Sequence, residues 1–281
     1  MITVESKVKL SFHLLVVATA LAQSPRNIIV TSAASFQVGI PARGSIGAVF
    51  CTGLALSGTT QAQGAPLPWS LAGVSVTVGG ASAPLFSVSD LGGYQQVNFQ
   101  VPQEAVFAND GSAAITVTQN GATGTAIAQS YPLNIGPGEF FTFPNSPYGA
   151  FQHATDYSSV TIANPAHGGE TIIGYLTGLP RTVPVVPTGQ ASPFSPLAVV
   201  PQTIPISTSF VDLYTVRPSA VTNFLGLAPG LVGVYQVNFI LPSSVGPGDL
   251  EIELMEHTCA DLCLFGTQAW RFSRSVVMPV R

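Results

Sequence analysis

Histidines are the residues of this sequence best suited to acid–base chemistry at neutral pH. After residue 22 the chain contains His153, His167 and His257. His167 lies in NPAHGGE, and it would need Asp156 or Glu170 beside it to act as the general base of a hydrolase. The glycines that follow His167 predict a turn ahead of a strand. We therefore interpret His167 as an exposed turn residue and predict no catalytic residue.

Carboxylates could serve a glycosidase, which needs two of them about 5–9 Å apart across the sugar. The acidic residues of this chain are instead scattered, mostly where strands are predicted to end. Glu251 and Glu253 alternate with apolar residues, so we expect both to lie on a solvated strand edge. The sequence also lacks the G-x-S-x-G motif that presents a nucleophilic serine. We predict a protein that is not an enzyme.

The three cysteines could form a disulfide or bind a metal. Cys259 and Cys263 stand four residues apart in CADLC, and in an oxidising compartment they are a candidate disulfide. Cys51 lies in the apolar run GAVFCTGL and is predicted to be a buried free thiol. Two cysteines and the nearby His257 supply too few ligands for a zinc site. No metal or other cofactor is predicted.

The two tryptophans are the candidate binding residues. Trp69 lies in PLPWS and Trp270 in TQAWRF, and exposed aromatic rings are the platforms on which β-sandwich proteins bind sugars. The alternative is that Trp69 closes one end of a sandwich and that Trp270 packs within the last strand. The proline-rich loop 179–205 is predicted to run over the surface, where it is a candidate contact surface.

The composition favours an exported β protein. Of 281 residues 46% are hydrophobic and only 8% are charged, against about 25% charged in typical soluble proteins. The solvent-facing surface must therefore be covered mainly by uncharged polar residues. A formal net charge of −4 predicts no basic patch, so nucleic acid is not an expected partner.

The N-terminus resembles a secretory signal peptide. Lys7 and Lys9 precede the apolar run of residues 10–22, which ends in Ala-Leu-Ala, and cleavage is expected after Ala22. The run is shorter than the roughly 20 residues that span a bilayer, and no later stretch is long and apolar enough. A short amphipathic helix is the alternative. We expect a secreted protein, extracellular or in the cell envelope, with no membrane span after the signal is removed.

Apolar and polar residues alternate along most of the chain, as in VSVTV at residues 74–78 and LEIEL at residues 250–254. This period of two predicts strands that are buried on one face only. Turn signals separate these runs, and the chain contains 28 glycines and 23 prolines. Short strands at this spacing indicate β-sandwiches or barrels.

Several phrases occur twice in the same order, which predicts a duplicated domain. PARGSIGAVFCTGL at residues 41–54 returns as PAHGGETIIGYLTGL at residues 165–179, and YQQVNFQVP at residues 94–102 returns as YQVNFILP at residues 235–242. We place the first domain at residues 23–136 and the second at residues 137–281.

The repeated YQ-VNF phrase is predicted to be a core strand in each copy. In the second copy Tyr235, Val237 and Phe239 share one face. The first copy has one extra glutamine, which moves Tyr94 to the opposite face unless a β-bulge absorbs the residue. Asn98 and Asn238 lie on the polar face. Ligand contacts are one interpretation of this repeated pair, and we favour the other, that they are hydrogen-bonded structural residues.

These phrases resemble an uncharacterised C-terminal domain family described from Solibacter and other Acidobacteria. The resemblance rests on residues 41–54, 71–80, 83–89, 96–102, 164–168, 173–179, 226–238 and 275–280, which cover nearly the whole chain after the signal. Two features depart from the family pattern, namely Cys51 and the apparent insertion HTCADLCLFGTQAW. The resemblance implies secreted immunoglobulin-like sandwiches and no catalytic residue.

Together these observations predict an all-β protein of two tandem immunoglobulin-like β-sandwich domains. The leading functional hypothesis is a non-catalytic structural or adhesive module of the cell envelope or extracellular matrix, with an extracellular protein or polysaccharide as partner. A carbohydrate-binding protein is the alternative, and a hydrolase with an unrecognised site is the third.

Overall fold

A computed structural model describes residues 23–130, 138–179, 181–201, 206–210, 220–258 and 269–281. These residues form strands, turns and loops, with no helix among them. All pairs between the strands are antiparallel. The all-β prediction is therefore confirmed. The predicted signal peptide and the candidate disulfide Cys259–Cys263 lie outside the described residues.

The first half of the chain forms two sheets, with strand orders β1-β2-β7-β6-β3 and β5-β4-β8-β9. The strands are β1 (Arg26–Ser32), β2 (Ile46–Thr52), β3 (Thr59–Gln61), β4 (Val74–Val78), β5 (Ala81–Ala83), β6 (Leu85–Asp90), β7 (Gln95–Gln100), β8 (Ser112–Gln119) and β9 (Ala122–Gln129).

The second half also forms two sheets. One has the order β10-β12-β15-β14, with β11 paired to β12, and the other has the order β13-β16-β17, with β18 paired to β16. The strands are β10 (Glu139–Phe140), β11 (Phe151–His153), β12 (Thr171–Thr177), β13 (Ile206–Phe210), β14 (Val221–Leu227), β15 (Tyr235–Ile240), β16 (Gly248–Thr258), β17 (Ala269–Phe272) and β18 (Val276–Val280).

Buried side chains form one hydrophobic cluster in each half, and each cluster takes residues from both sheets of that half. In the first half the alternation at residues 74–78 is confirmed, because Val74, Val76 and Val78 are buried while the residues between them are partly exposed. Phe99 and Phe239 are fully buried at corresponding places of the two clusters. The packing of two antiparallel sheets around one apolar layer is that of a β-sandwich.

The repeated phrases pair with each other in the same way in both halves. Strand β2 pairs with β7 so that Val49 lies opposite Val97, and β12 pairs with β15 so that Gly174 lies opposite Val237. A register shift also recurs at the same place, between Leu85 and Ser87 in β6 and between residues 222 and 224 in β14. The duplication therefore extends to strand pairing and to a β-bulge.

The extra glutamine of the first copy moves a tyrosine to the opposite side of the sheet. Tyr94 is 48% exposed, whereas Tyr235 is 2% exposed and belongs to the second hydrophobic cluster. Gln95 occupies the inward position that Tyr235 holds in the other copy, and its side-chain oxygen accepts a hydrogen bond from the backbone N–H of Leu54. No register shift between β2 and β7 absorbs the insertion.

The expectation that Glu251 and Glu253 both lie on a solvated strand edge is wrong for Glu253. Glu251 is exposed, but Glu253 is only 4% exposed. Strand β16 is an interior strand at this point, because β13 pairs with it on one side and Ser273 hydrogen-bonds to the backbone of Leu254 on the other. Alternation predicted the face on which Glu253 lies, but not that this face is covered.

Candidate functional site

Trp69 is half exposed, at 52% of its surface, on the loop between β3 and β4. The loop is held on both sides, since Leu67 donates its backbone N–H to the carbonyl oxygen of Gly189 and Leu85 donates to that of Pro68. About half of Trp69 is therefore accessible to solvent, and whether its ring binds a ligand or closes the end of a sandwich stays a prediction. The side chain of Trp270, in β17, lies outside the described residues, so its role stays a prediction.

A row of three aromatic rings lies on the outer face of the β1-β2-β7 sheet. Phe36 and Tyr94 are 56% and 48% exposed, and both contact the partly exposed Phe50. The ring centroids are 6.2 Å apart for Phe36 and Phe50 and 5.9 Å apart for Phe50 and Tyr94. Phe50 was missed because GAVFC reads as one apolar run, although Val49 and Cys51 in the core place Phe50 outside.

On β7, amide side chains lie next to this row of aromatic rings. The Gln96 Nε2 group donates to Asn98 Oδ1 at 2.8 Å, and Asn98 Nδ2 donates to Ser87 Oγ at 3.1 Å. Gln96 lies directly opposite Phe50 in the strand pair, where same-face side chains are in contact distance. Phe50, Gln96 and Asn98 are named here the first ring–amide face.

The second half carries the same arrangement. Gln236 Nε2 donates to Asn238 Oδ1 at 2.8 Å, and Tyr175 lies opposite Gln236 as Phe50 lies opposite Gln96. Tyr175, Gln236 and Asn238 are all partly exposed, and they are named here the second ring–amide face. The two asparagines were predicted to be hydrogen-bonded polar residues, and both are.

The second face keeps its tyrosine hydroxyl neutral. Tyr175 donates from its hydroxyl to Gln152 Oε1 at 2.8 Å. Burial raises the pKa of Tyr175 above its ordinary value, and the nearby Tyr157 raises it further. Tyr157 itself is 67% exposed. The face therefore presents phenol and amide groups, all uncharged at neutral pH.

His153, rather than His167, lies in a cluster with carboxylates. The His153 ring is buried, with Nδ1 at 3.0 Å from Glu170 Oε2 and Nε2 at 3.3 Å from the carbonyl oxygen of Asn164. Burial lowers the pKa of His153, but the hydrogen bonds to Glu170 and Asn164 and the charges of Glu170 and Asp156 outweigh it, so the pKa is raised overall. Both ring nitrogens are engaged, which suits a structural link between β11 and the start of β12.

Replacing His153 by glutamine is expected to lower the free energy of unfolding by about 2 kcal/mol at pH 5.5, because a charge-assisted hydrogen bond is lost. A folded-state pKa above the unfolded value gives stability that is complete below about pH 6.5 and lost as the pH rises through the folded pKa. The difference between the wild type and His153→Gln should therefore shrink by pH 8. Urea unfolding at both pH values measures it.

The exposed His167 supplies the matched control, and His167→Gln should change the free energy of unfolding by less than about 0.5 kcal/mol. If the His153→Gln effect were equally large at pH 5.5 and pH 8, the charged pair would not be its cause.

Cys51 is buried and is not in a disulfide. Burial raises the pKa of its thiol to about 11. Only the thiolate is a good nucleophile or metal ligand, so this cysteine is unreactive in the folded protein. Its prediction as a buried free thiol is confirmed.

Part of the proline-rich loop packs against the first half of the chain. Thr188 and Ser192 are buried, whereas Val185 and Phe194 are exposed. Thr188 Oγ1 accepts the backbone N–H of Gln103 at 3.0 Å and donates to a carboxylate oxygen of Glu104 at 2.8 Å. The loop thus has one face against the first half and one face towards solvent.

Buried polar side chains connect the two halves at a set of contacts named here the junction, formed by Ile46, Gln100, Thr177, Gly189 and Gly233. Gln100 donates from Nε2 to the carbonyl oxygen of Gly44 at 3.1 Å and accepts the Gly189 N–H at 2.7 Å. Thr177 Oγ1 accepts the Ile46 N–H at 2.9 Å and donates to the Gly233 carbonyl oxygen at 3.0 Å.

Gly233 allows this close approach. Its φ of +65° favours glycine, and a Cβ atom there would lie 2.9 Å from the carbonyl oxygen of Gly44. Ser35 adds a further link, because its hydroxyl donates to the buried Glu139 carboxylate at 2.7 Å. The junction therefore joins the two halves by specific hydrogen bonds.

Within the described residues, no group of three or more His, Cys, Asp and Glu side chains is placed to hold a metal ion. In the same part of the chain no helix is long and apolar enough to cross a membrane. Comparison of the sequence with protein-family models finds no match, and comparison with curated proteins finds none either.

Proposed function

We propose that the chain is an exported, non-catalytic module of two immunoglobulin-like β-sandwich domains, with a structural or adhesive role in the cell envelope or extracellular matrix. The resemblance to the Solibacter family is part of this proposal. The observation that carries it is the junction, in which the side chains of Gln100 and Thr177 each hydrogen-bond to one backbone group of the first half and one of the second. A structural or adhesive module needs its two domains to be held in a fixed arrangement, as the junction holds the two halves here.

The polar surface supports the same role. Most surface positions carry uncharged residues, and threonines on β8 and β9 pair across the strands, as Thr116 does with Thr125 at 3.0 Å. Apolar rings such as Phe36, Tyr94 and Phe194 are exposed among them. Exposed aromatic rings with little charge around them are typical of contact surfaces.

The test is a pull-down of the purified chain on isolated cell envelopes and, side by side, on insoluble polysaccharides. Retention on envelopes above that of an unrelated β-sandwich protein of similar net charge is expected. Failure to bind envelopes at all would contradict the proposed function.

Carbohydrate binding is the second candidate function, and the accessible ring of Trp69 together with the row Phe36, Phe50 and Tyr94 favours it. The third hypothesis, a hydrolase, has no comparable support in the described residues, because the ring of His153, which contacts Glu170, has both of its nitrogens engaged.

A further inference from the structure

The duplicated strands retain their outward residues as well as their core residues. The core explains why valine and phenylalanine recur, as at Val97 and Val237. It does not explain the recurrence of a glutamine and an asparagine on the side that points away from it. In both copies the asparagine lies beside the β-bulge and accepts a hydrogen bond from the glutamine, which gives the pair a structural role and still leaves part of its hydrogen-bonding capacity for a ligand. A shared ligand gives a reason for keeping the same pair twice.

Each ring–amide face combines an apolar ring with two carboxamides at fixed positions. A carboxamide has two donor hydrogens and an acceptor oxygen. One hydrogen of Gln96 is used on Asn98, which orients both amides and leaves further hydrogens and lone pairs for a ligand. Because the rings of Phe50 and Tyr175 lie opposite the glutamines, the apolar and hydrogen-bonding parts of each face adjoin.

The charge of the faces limits the class of ligand. Phe50, Gln96, Asn98, Tyr175, Gln236 and Asn238 include no charged side chain. A phosphate or carboxylate ligand would find no cation among them, and a cationic ligand would find no carboxylate. The ligand that fits is neutral, with an apolar face and adjacent hydroxyl groups. A pyranose ring has both features, since its axial C–H groups stack on aromatic rings and its vicinal hydroxyls pair with carboxamides.

We infer that the two ring–amide faces are equivalent binding sites for one neutral polysaccharide, with a sugar ring stacked on Phe50 in the first site and on Tyr175 in the second. The inference rests on the proposed function, because it names what an adhesive module of this kind would hold. Two sites joined by the junction would bind one long chain with greater avidity than either site alone.

The test is affinity electrophoresis of the purified chain in native gels cast with neutral polysaccharides, a β-glucan, a galactomannan and a xylan, and with polygalacturonate as an anionic comparison. At least one neutral polysaccharide should retard the chain, and polygalacturonate should not. Asn98→Leu and Asn238→Leu remove one amide each with little change in size, and each should weaken retardation at least tenfold. The double variant should migrate as in a gel without polysaccharide.

Ile127→Ala is the matched control, because Ile127 is an exposed apolar side chain, 70% accessible, on β9 and outside both faces. It should be retarded like the wild type, and thermal unfolding should show that all variants are folded. Loss of retardation in Trp69→Ala, with full retardation of the asparagine variants, would overturn the inference.

Two further outcomes would also overturn it. The first is that no gel with a neutral polysaccharide retards the chain. The proposed function would still stand in that case if the same sample binds cell envelopes. Self-association that depends on Phe50 and occurs without polysaccharide binding, measured by analytical ultracentrifugation, would identify the first face as a contact between copies of the chain.

Discussion

Replacing Phe239 by alanine is expected to lower the free energy of unfolding by about 3–5 kcal/mol. The ring is fully buried in the second hydrophobic cluster and meets Phe151 edge-on, with centroids 6.2 Å apart and an interplanar angle of 85°. Its removal loses the transfer free energy of the ring and leaves a cavity that the strands on either side cannot close. Urea unfolding followed by circular dichroism measures the change.

Phe99→Ala is the matched variant, because Phe99 holds the corresponding place in the first cluster and is equally buried. Its ring contacts Gly47 so closely that a Cβ atom there would lie 2.9 Å away. If the halves are separate domains, calorimetry should resolve two transitions, of which Phe99→Ala lowers one and Phe239→Ala the other. A single transition that both variants lower equally would contradict independent unfolding of the halves and would show that the junction couples them into one cooperative unit.

Replacing Thr177 by valine is the second large effect expected, roughly 2–4 kcal/mol of lost stability. Valine has nearly the size of threonine, so packing is little changed, but the Ile46 N–H and the Gly233 carbonyl oxygen lose their partner. Thr177 is 1% exposed, so water does not readily replace the hydroxyl. Each buried backbone group left unpaired costs about 1–3 kcal/mol. Urea unfolding measures the loss, and small-angle scattering measures whether the halves separate.

Thr116→Val is its control, because Thr116 pairs with Thr125 at the surface of β8, where water can replace the lost hydroxyl. It should cost less than about 0.5 kcal/mol. Equal effects of the two valine substitutions would show that the junction hydrogen bonds contribute little to holding the halves together.

The candidate site illustrates how far sequence reasoning reaches. The alternation of Val49, Phe50 and Cys51 places Phe50 on the side of β2 opposite the core. It does not show how far that side is covered, since Ala48 on the same side is buried whereas Phe50 is partly exposed. What the pattern does not contain is the position of Phe36, which reaches the same ring from the turn that follows β1. From the sequence we predicted Trp69 as a binding residue instead, because residue type alone indicates which side chains could form an aromatic platform.

Buried polar residues were the least predictable feature. Glu253 and Gln100 occupy alternating positions that read as solvent-facing, yet both are buried. The layers that cover them come from residues far away in the sequence, such as Gly189 over Gln100. Period-two alternation reports which side of a strand a residue occupies, and it carries no information on what packs against that side.

By itself, the sequence determined that the chain is built of antiparallel strands and that its repeated phrases form corresponding strands in the two halves, because side-chain alternation and turn residues act locally. The tertiary structure decided that no bulge absorbs the extra glutamine, so that the two tyrosines lie on opposite sides of their sheets. It also decided that the ring of His153, and not that of His167, contacts Glu170, and that buried amide and hydroxyl groups connect the halves. These outcomes depend on contacts between distant segments, which form only when the sheets pack.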